Sequence, residues 1–214
     1  NIPVHLLNDV NAGLLGELAR FQEAPSCVAA FFCGTGIGGA LAFHGKLHTG
    51  MDGGAGEVGH MVVRAEGKQC NCGRKGCLEA YIGKWALNKK IMREIEEEGT
   101  SLLEEIISYD LTRNPVKSSS LKKAYLKNDD FTLEIMNVYY SKYLAIGISQ
   151  VTNLLSPGMV ILGGGIMESM GDYIMPYIKK YLQEYCINRI PEIRLAALGD
   201  LAGPLGAASY ARQL

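Results

Sequence analysis

The sequence predicts an α/β protein, on three observations. Two apolar runs early in the chain read as a strand hairpin. From Leu78 onward the apolar period becomes helical. A buried-strand run, MVIL at residues 159–162, then returns between two helical segments. Early strands followed by helices alternating with strands belong to an α/β arrangement.

Taken in order, residues 2–7 (IPVHLL) read as a short buried strand, and residues 12–20 as a helix after Asn8 and Asp9. Residues 27–33 (CVAAFFC) form a second strand that runs into GTGIGG, and residues 40–48 are its return across that glycine turn. Residues 58–63 (VGHMVV) alternate like a further strand. Leu78, Ile82, Trp85, Ile91 and Ile95 are spaced as one helix that ends in charges near Gly99. Residues 101–128 are mixed and polar: short helices with a loop over 114–120. A long helix spans 131–155, its buried face carrying Ile135, Val138, Tyr139, Leu144, Ile148, Val151 and Leu155. Pro157 and Gly158 stop it. The strand-to-glycine run 159–166, a helix over 172–186, a strand over 192–198 and a terminal helix over 203–212 complete the reading.

The 214 residues can bury a sizeable core, and the formal net charge of −1 points to neither nucleic acid nor an anionic membrane as a bulk partner. No apolar run reaches the roughly 18 residues that span a bilayer, and no secretory signal is visible. The tight spacing Cys70-x-Cys72-x4-Cys77 makes an awkward disulfide framework. A reducing, cytoplasmic setting with a metal site fits it better. Cys27, Cys33 and Cys186 are scattered in apolar surroundings and read as inert core thiols.

Four motifs carry chemistry. His60 stands ten residues before Cys70, so one imidazole and three thiols supply a complete tetrahedral zinc set, Cys3His. With every position filled by protein, such a zinc is structural, because a catalytic zinc keeps an open position. Glu57 precedes the His by three residues, and Glu79 follows the last Cys by two. The second motif is the glycine turn at 34–39, where backbone N–H groups and the Thr35 hydroxyl suit a phosphate. It serves equally as a plain hairpin turn. In the third, Asn8-Asp9, Asp9 is either a helix cap or a general base for a substrate hydroxyl. Asn11 is a weaker candidate in the same turn. In the fourth, LGGG at 162–165, three glycines after a strand either admit a flat ligand or make a tight strand-to-helix connection.

Together, ExGH at 57–60, CxCGxxGCxE at 70–79, Asn8-Asp9, GTGIGG and LGGG resemble the ROK family of repressors, open reading frames and sugar kinases. The resemblance covers nearly the whole chain. It implies an actin-like, ribonuclease-H-like lobe of the hexokinase type with a zinc-bound loop. It implies Asp9 as general base, deprotonating the sugar hydroxyl that attacks the γ-phosphate of ATP. Asn8, Asp9, Glu57, His60 and Glu79 would bind the sugar, a hexose such as glucose or an N-acetylated relative. Gly34, Thr35, Gly36 and Gly38 would approach the ATP phosphates, and Gly164 and Gly165 the adenosine. His60, Cys70, Cys72 and Cys77 would hold zinc, and magnesium would accompany ATP. Homodimers are common in the family.

The acidic DxGxT loop of family kinases has no match in the sequence. The expectation is therefore a C-terminal lobe, residues 1–214, which binds zinc but does not phosphorylate sugar alone. The alternative within the family is a sugar-sensing repressor with an upstream DNA-binding domain. A repressor has no need of a base or a phosphate loop, so Asp9 and an intact GTGIGG favour the kinase.

Overall fold

The computed structural model describes residues 4–98, 101–107 and 116–213. At its centre is a five-stranded mixed sheet: β1 (Cys27–Cys33), β2 (Ile37–Phe43), β3 (Lys46–Leu47), β4 (Met159–Gly163) and β5 (Glu192–Leu195). The order is β3-β2-β1-β4-β5. β2 pairs antiparallel with β1 and β3, whereas β1-β4 and β4-β5 are parallel.

The alternation of β1 sorts its residues to two cores. Ala29, Phe31 and Cys33 join Val160 and Leu162 of β4 on one face. Helix α7 (Ser141–Leu155) and helix α8 (Gly165–Tyr185) cover that face with Leu144, Ile148, Ile174 and Ile178. Val28 and Ala30 join Ala40, Ala42, Met159 and Ile161 on the other face, under Leu14 and Leu18 of α1 (Asp9–Leu18). Strands buried on both faces read as continuous apolar runs, which is why CVAAFFC and MVIL stood out. The terminal helix α9 (Ala202–Ala211) crosses α1 backbone to backbone, since a Cβ on Gly16 would overlap the Ala202 carbonyl. Glu17 of α1 is buried, and its Oε1 accepts the Ala197 and Leu198 N–H groups, in the segment before α9, at 2.8 Å each.

Several segments depart from the sequence reading. Residues 2 and 3 lie outside the described residues. Residues 4–7 form no strand, and Val4 and Leu6 face solvent, because neither sheet edge pairs with them. The return strand begins earlier, at Ile37, and a turn at His44-Gly45 separates it from β3. Residues 58–63 are not a strand. Val58–His60 is a single 3₁₀ turn, and only Val62 bridges back, to Cys77. The helix expected from Leu78 is two, α2 (Glu79–Ile82) and α3 (Lys84–Glu98), separated by the extended backbone of Gly83. Gly99 is outside the described residues.

Helices α4 (Leu102–Ile107) and α5 (Ser118–Leu126) follow, so the loop expected over 114–120 is helical from Ser118. Its residues 114 and 115 are outside the described residues. The long helix comprises α6 (Asp130–Leu133), a π-helical turn at Glu134–Tyr140, and α7. The Met136 carbonyl accepts both the backbone N–H and the hydroxyl of Ser141, five residues on. That extra residue per turn rotates the face. Met136 and Tyr140 are buried, Val138 is exposed, and Tyr139 and Leu155 are half-buried. Helix α8 starts at Gly165 rather than 172, and β5 is shorter than expected. No helix among the described residues is long and apolar enough to cross a membrane.

Candidate functional site

The cysteine loop runs from Met61 to Leu78, whose backbones meet through the Leu78 N–H to the Met61 carbonyl at 2.9 Å. Within it the Cys70 N–H donates to Arg74 O at 2.8 Å, and Gly73 and Gly76 take φ of 86° and 82°. Those left-handed positions favour glycine and fold the chain back on itself twice. The result gathers His60, Cys70, Cys72 and Cys77, whose ligand atoms lie within 4.8 Å of one another. The Cys72 and Cys77 sulfurs are 3.7 Å apart. Two thiolates on a tetrahedral zinc at ~2.3 Å stand about 3.8 Å apart, so the spacing fits that ion. The Cys70 sulfur lies 3.9 Å from His60 Nδ1, and the other ring nitrogen, Nε2, is 4.0 Å from Glu57 Oε2.

Crowding three thiols pulls their acidities apart. Burial and hydrogen bonds with Cys72 and Cys70 push Cys77 up to about 12. Burial raises Cys70, while the backbone N–H of Arg74 lowers Cys72. A divalent cation is the natural remedy for such a set, since it takes all three as thiolates.

The polar residues expected at a substrate converge on the start of β2 through glycines. A Cβ at Gly38 would lie 2.5 Å from Val10 Cγ2, so the start of α1 packs on that strand and brings Asn8 and Asp9 with it. A Cβ at Gly39 would overlap the Gly56 carbonyl and crowd Val58, and one at Gly59 would overlap the Ile37 carbonyl. These contacts seat the turn that carries Glu57 and His60. A Cβ at Gly36 would overlap Glu79 Oε2.

Asn8 is the cap of α1: its Oδ1 accepts the Val10 N–H at 2.9 Å and the Asn11 N–H at 3.4 Å. Asp9 is therefore not the cap. It is exposed in the first turn, and its Oδ1 accepts the Val10 N–H at 2.9 Å. The buried Oδ1 of Asn11 finds no donor among the described residues. Glu57 is exposed and His60 half-buried. Glu79 is half-buried, and its Oε2 accepts the Ile37 N–H at 2.9 Å. That bond was not legible in the sequence, where nothing links residues 42 positions apart.

The Gly34–Gly36 turn closes with the Gly34 N–H on Gly36 O at 2.9 Å. The start of α3 supports it, Lys84 N–H reaching Gly34 O at 3.2 Å. Thr35 is exposed at its tip. Beside it, Gly164 takes φ 87°, and a Cβ there would crowd the Cys33 backbone at 2.5 Å. The glycines after β4 thus lie against the end of β1, and Gly165 opens α8 with no side-chain cap. Gly56 and Gly59 pack closely: a Cβ on either would press on the backbone of β2.

The model of the ROK family matches residues 1–214. The chain is 34% identical to a glucokinase of Thermotoga maritima over 224 residues, covering 98% of this chain and 66% of the relative. It is 32% identical to the xylose repressor of Bacillus subtilis over 171 residues, 79% of this chain and 39% of the relative. A ROK family glucokinase from Streptomyces griseus, solved in complex with glucose and AMPPNP, superposes with a TM-score of 0.85 at 26% identity, covering 100% of this chain and 69% of that one. The chain spans about two thirds of the length of the kinases it matches.

Proposed function

Because the chain belongs to the ROK family, we propose that it is the C-terminal lobe of an ATP-dependent hexose kinase. The carrying observation is the convergence on β2. Close contacts at Gly36, Gly38, Gly39 and Gly59 hold the segments that carry Asn8, Asp9, Glu57, His60 and Glu79 against the strand that follows the Gly34–Gly36 turn. Hydroxyl donors and acceptors beside a phosphate-sized glycine turn suit phosphoryl transfer to a sugar, which is mostly positioning and electrostatics. A related kinase holds glucose and AMPPNP. Glucose or an N-acetylated hexose is the proposed acceptor.

In this reading Asp9 takes the proton of the attacking hydroxyl. Its exposure suits that task. Asn8, Glu57, His60 and Glu79 bind the remaining hydroxyls. The Gly34–Gly38 segment approaches the phosphates of ATP and its magnesium, and Gly164-Gly165 the adenosine. Cys70, Cys72, Cys77 and His60 Nδ1 hold a structural zinc, which leaves His60 Nε2 directed toward Glu57 and the sugar. Three reduced thiols free to bind a metal are consistent with a reducing cytoplasm as the proposed setting, and a homodimer is the proposed assembly.

Asp9→Asn in the complete protein tests the reading. Sugar-dependent ATP turnover should fall by about 10²-fold or more, with sugar affinity within a few fold. Surviving turnover removes Asp9 as base. Turnover by residues 1–214 alone contradicts the lobe assignment. The likeness to a xylose repressor supports a second reading, a sugar sensor that releases DNA. Sugar-dependent DNA binding without ATP turnover would select it.

A further inference from the structure

Glu79 stands where the metal cluster meets the glycine turn. Cys77, Leu78 and Glu79 are consecutive, so one residue separates a thiol of the cluster from this carboxylate. Oε1 lies 3.9 Å from Cys70 Sγ, while Oε2 accepts the Ile37 N–H at 2.9 Å. Gly36, which lacks a side chain, gives Oε2 its room.

The supports of the turn share one origin. Besides Glu79, they are the Lys84 N–H on Gly34 O at 3.2 Å and the Trp85 N–H on Thr35 O at 3.4 Å. All three come from residues 79–85, directly after Cys77. Of these bonds, the one to the carboxylate is the shortest and the only charge-assisted one, the class with the larger net worth. A segment fixed by Cys77 thus suspends the turn, and Glu79 is its principal tie.

We propose that Glu79 is a positioning residue that carries the order of the metal cluster to the Ile37 amide and so sets the Gly34–Gly36 turn. The functional consequence, a phosphate loop shaped by the metal, rests on the kinase reading. The coupling itself does not. One oxygen of the carboxylate serves Ile37, and the remaining lone pairs stay available to a sugar hydroxyl. The metal would then affect nucleotide and sugar together without touching either.

Amide hydrogen exchange, followed by NMR on the full chain with one equivalent of zinc and again after chelation, tests this. Chelation is expected to speed Ile37 exchange about tenfold, the loss of one charge-assisted hydrogen bond, with the Ala29 and Ala30 amides of β1 unchanged. Glu79→Ala with zinc should show the same acceleration and no further response to chelation. Glu79→Gln, whose amide oxygen can accept the same N–H, should restore most of the protection. Ile37 exchange that ignores chelation or Glu79→Ala while β1 stays protected overturns the proposal. If either treatment also releases the β1 amides, Gly36→Ala with zinc decides. Its methyl group displaces the carboxylate while keeping all four metal ligands in the sequence, so fast Ile37 exchange at full zinc stoichiometry supports the coupling and unchanged exchange refutes it. No sugar or nucleotide enters the experiment. The coupling can therefore hold where the kinase reading fails, and the reverse.

Discussion

The backbone of Gly59 rests directly on the carbonyl of Ile37: a Cβ on Gly59 would overlap that oxygen. The contact is backbone on backbone, so no rotamer can relieve it. Gly59 lies between Glu57 and His60, and Ile37 opens β2, so this touch seats on the strand the turn that carries both residues. Gly59→Ala must lift the turn. It should cost about 1–3 kcal/mol of stability, the range for overpacking, and weaken sugar binding about tenfold or more. Urea denaturation and a sugar titration on the same variant check both.

Gly34 gives the opposite case. A Cβ there meets nothing within 4 Å, and its backbone is not in the left-handed region. Gly34→Ala should therefore leave stability within about 0.5 kcal/mol, or raise it slightly by restricting the unfolded chain. If the turn receives the ATP phosphates, the same methyl group stands in their way, and KM for ATP should rise several-fold while KM for sugar stays constant. A loss of stability with both KM values unchanged would make Gly34 a folding residue only.

Metal analysis of the reduced chain should find one zinc. Cys77 is fully buried in the cluster and Cys72 is exposed. Cys77→Ser should abolish retention, and Cys72→Ser should weaken it. A structural zinc contributes its binding energy to folding. Chelation should then lower the melting temperature by roughly 10 °C. A stoichiometry near zero would remove the zinc site.

The Cys3His cluster was legible because its spacing is local: four candidate donors lie within eighteen residues, and chemistry alone names the ion they suit. β1 and β4 were legible because strands buried on both faces leave unbroken apolar runs. What failed was decided by long-range contacts. Residues 58–63 alternate like a strand, yet Gly56 at φ 89° and the Gly59 contact turn the chain before it can pair. The helical period from Leu78 passes through Gly83 unmarked, although Gly83 sits against Thr35 O and ends α2. The face assigned to the long helix lost its phase at Ser141, where a hydroxyl to Met136 O accompanies the π turn. In the candidate site, residue identities were readable from motifs, but the glycine contacts that assemble them, and the Glu79–Ile37 bond, depend on which backbones meet.

Cys33 offers a test of the core beneath the site. It ends β1 just before the glycine turn and is fully buried beside Tyr140. Burial pushes its thiol from 9.0 to about 11. The folded state thus favours the neutral thiol more than the unfolded state does. This contribution is complete below pH 9, where both states keep the proton. Above 9 the unfolded chain releases its proton first, and stability falls until the folded thiol also titrates near 11. A shift of this size corresponds to about 3 kcal/mol at most. Tyr140 and the other buried tyrosines add their own alkaline loss, so the Cys33 share must be read as a difference. Cys33→Ala should be less stable than the wild type at pH 8, through a lost core contact, and the gap should narrow by pH 10.5. Denaturation curves of both proteins at the two pH values measure it. A gap that stays constant would mean that Cys33 titrates normally and that the end of β1 opens to water.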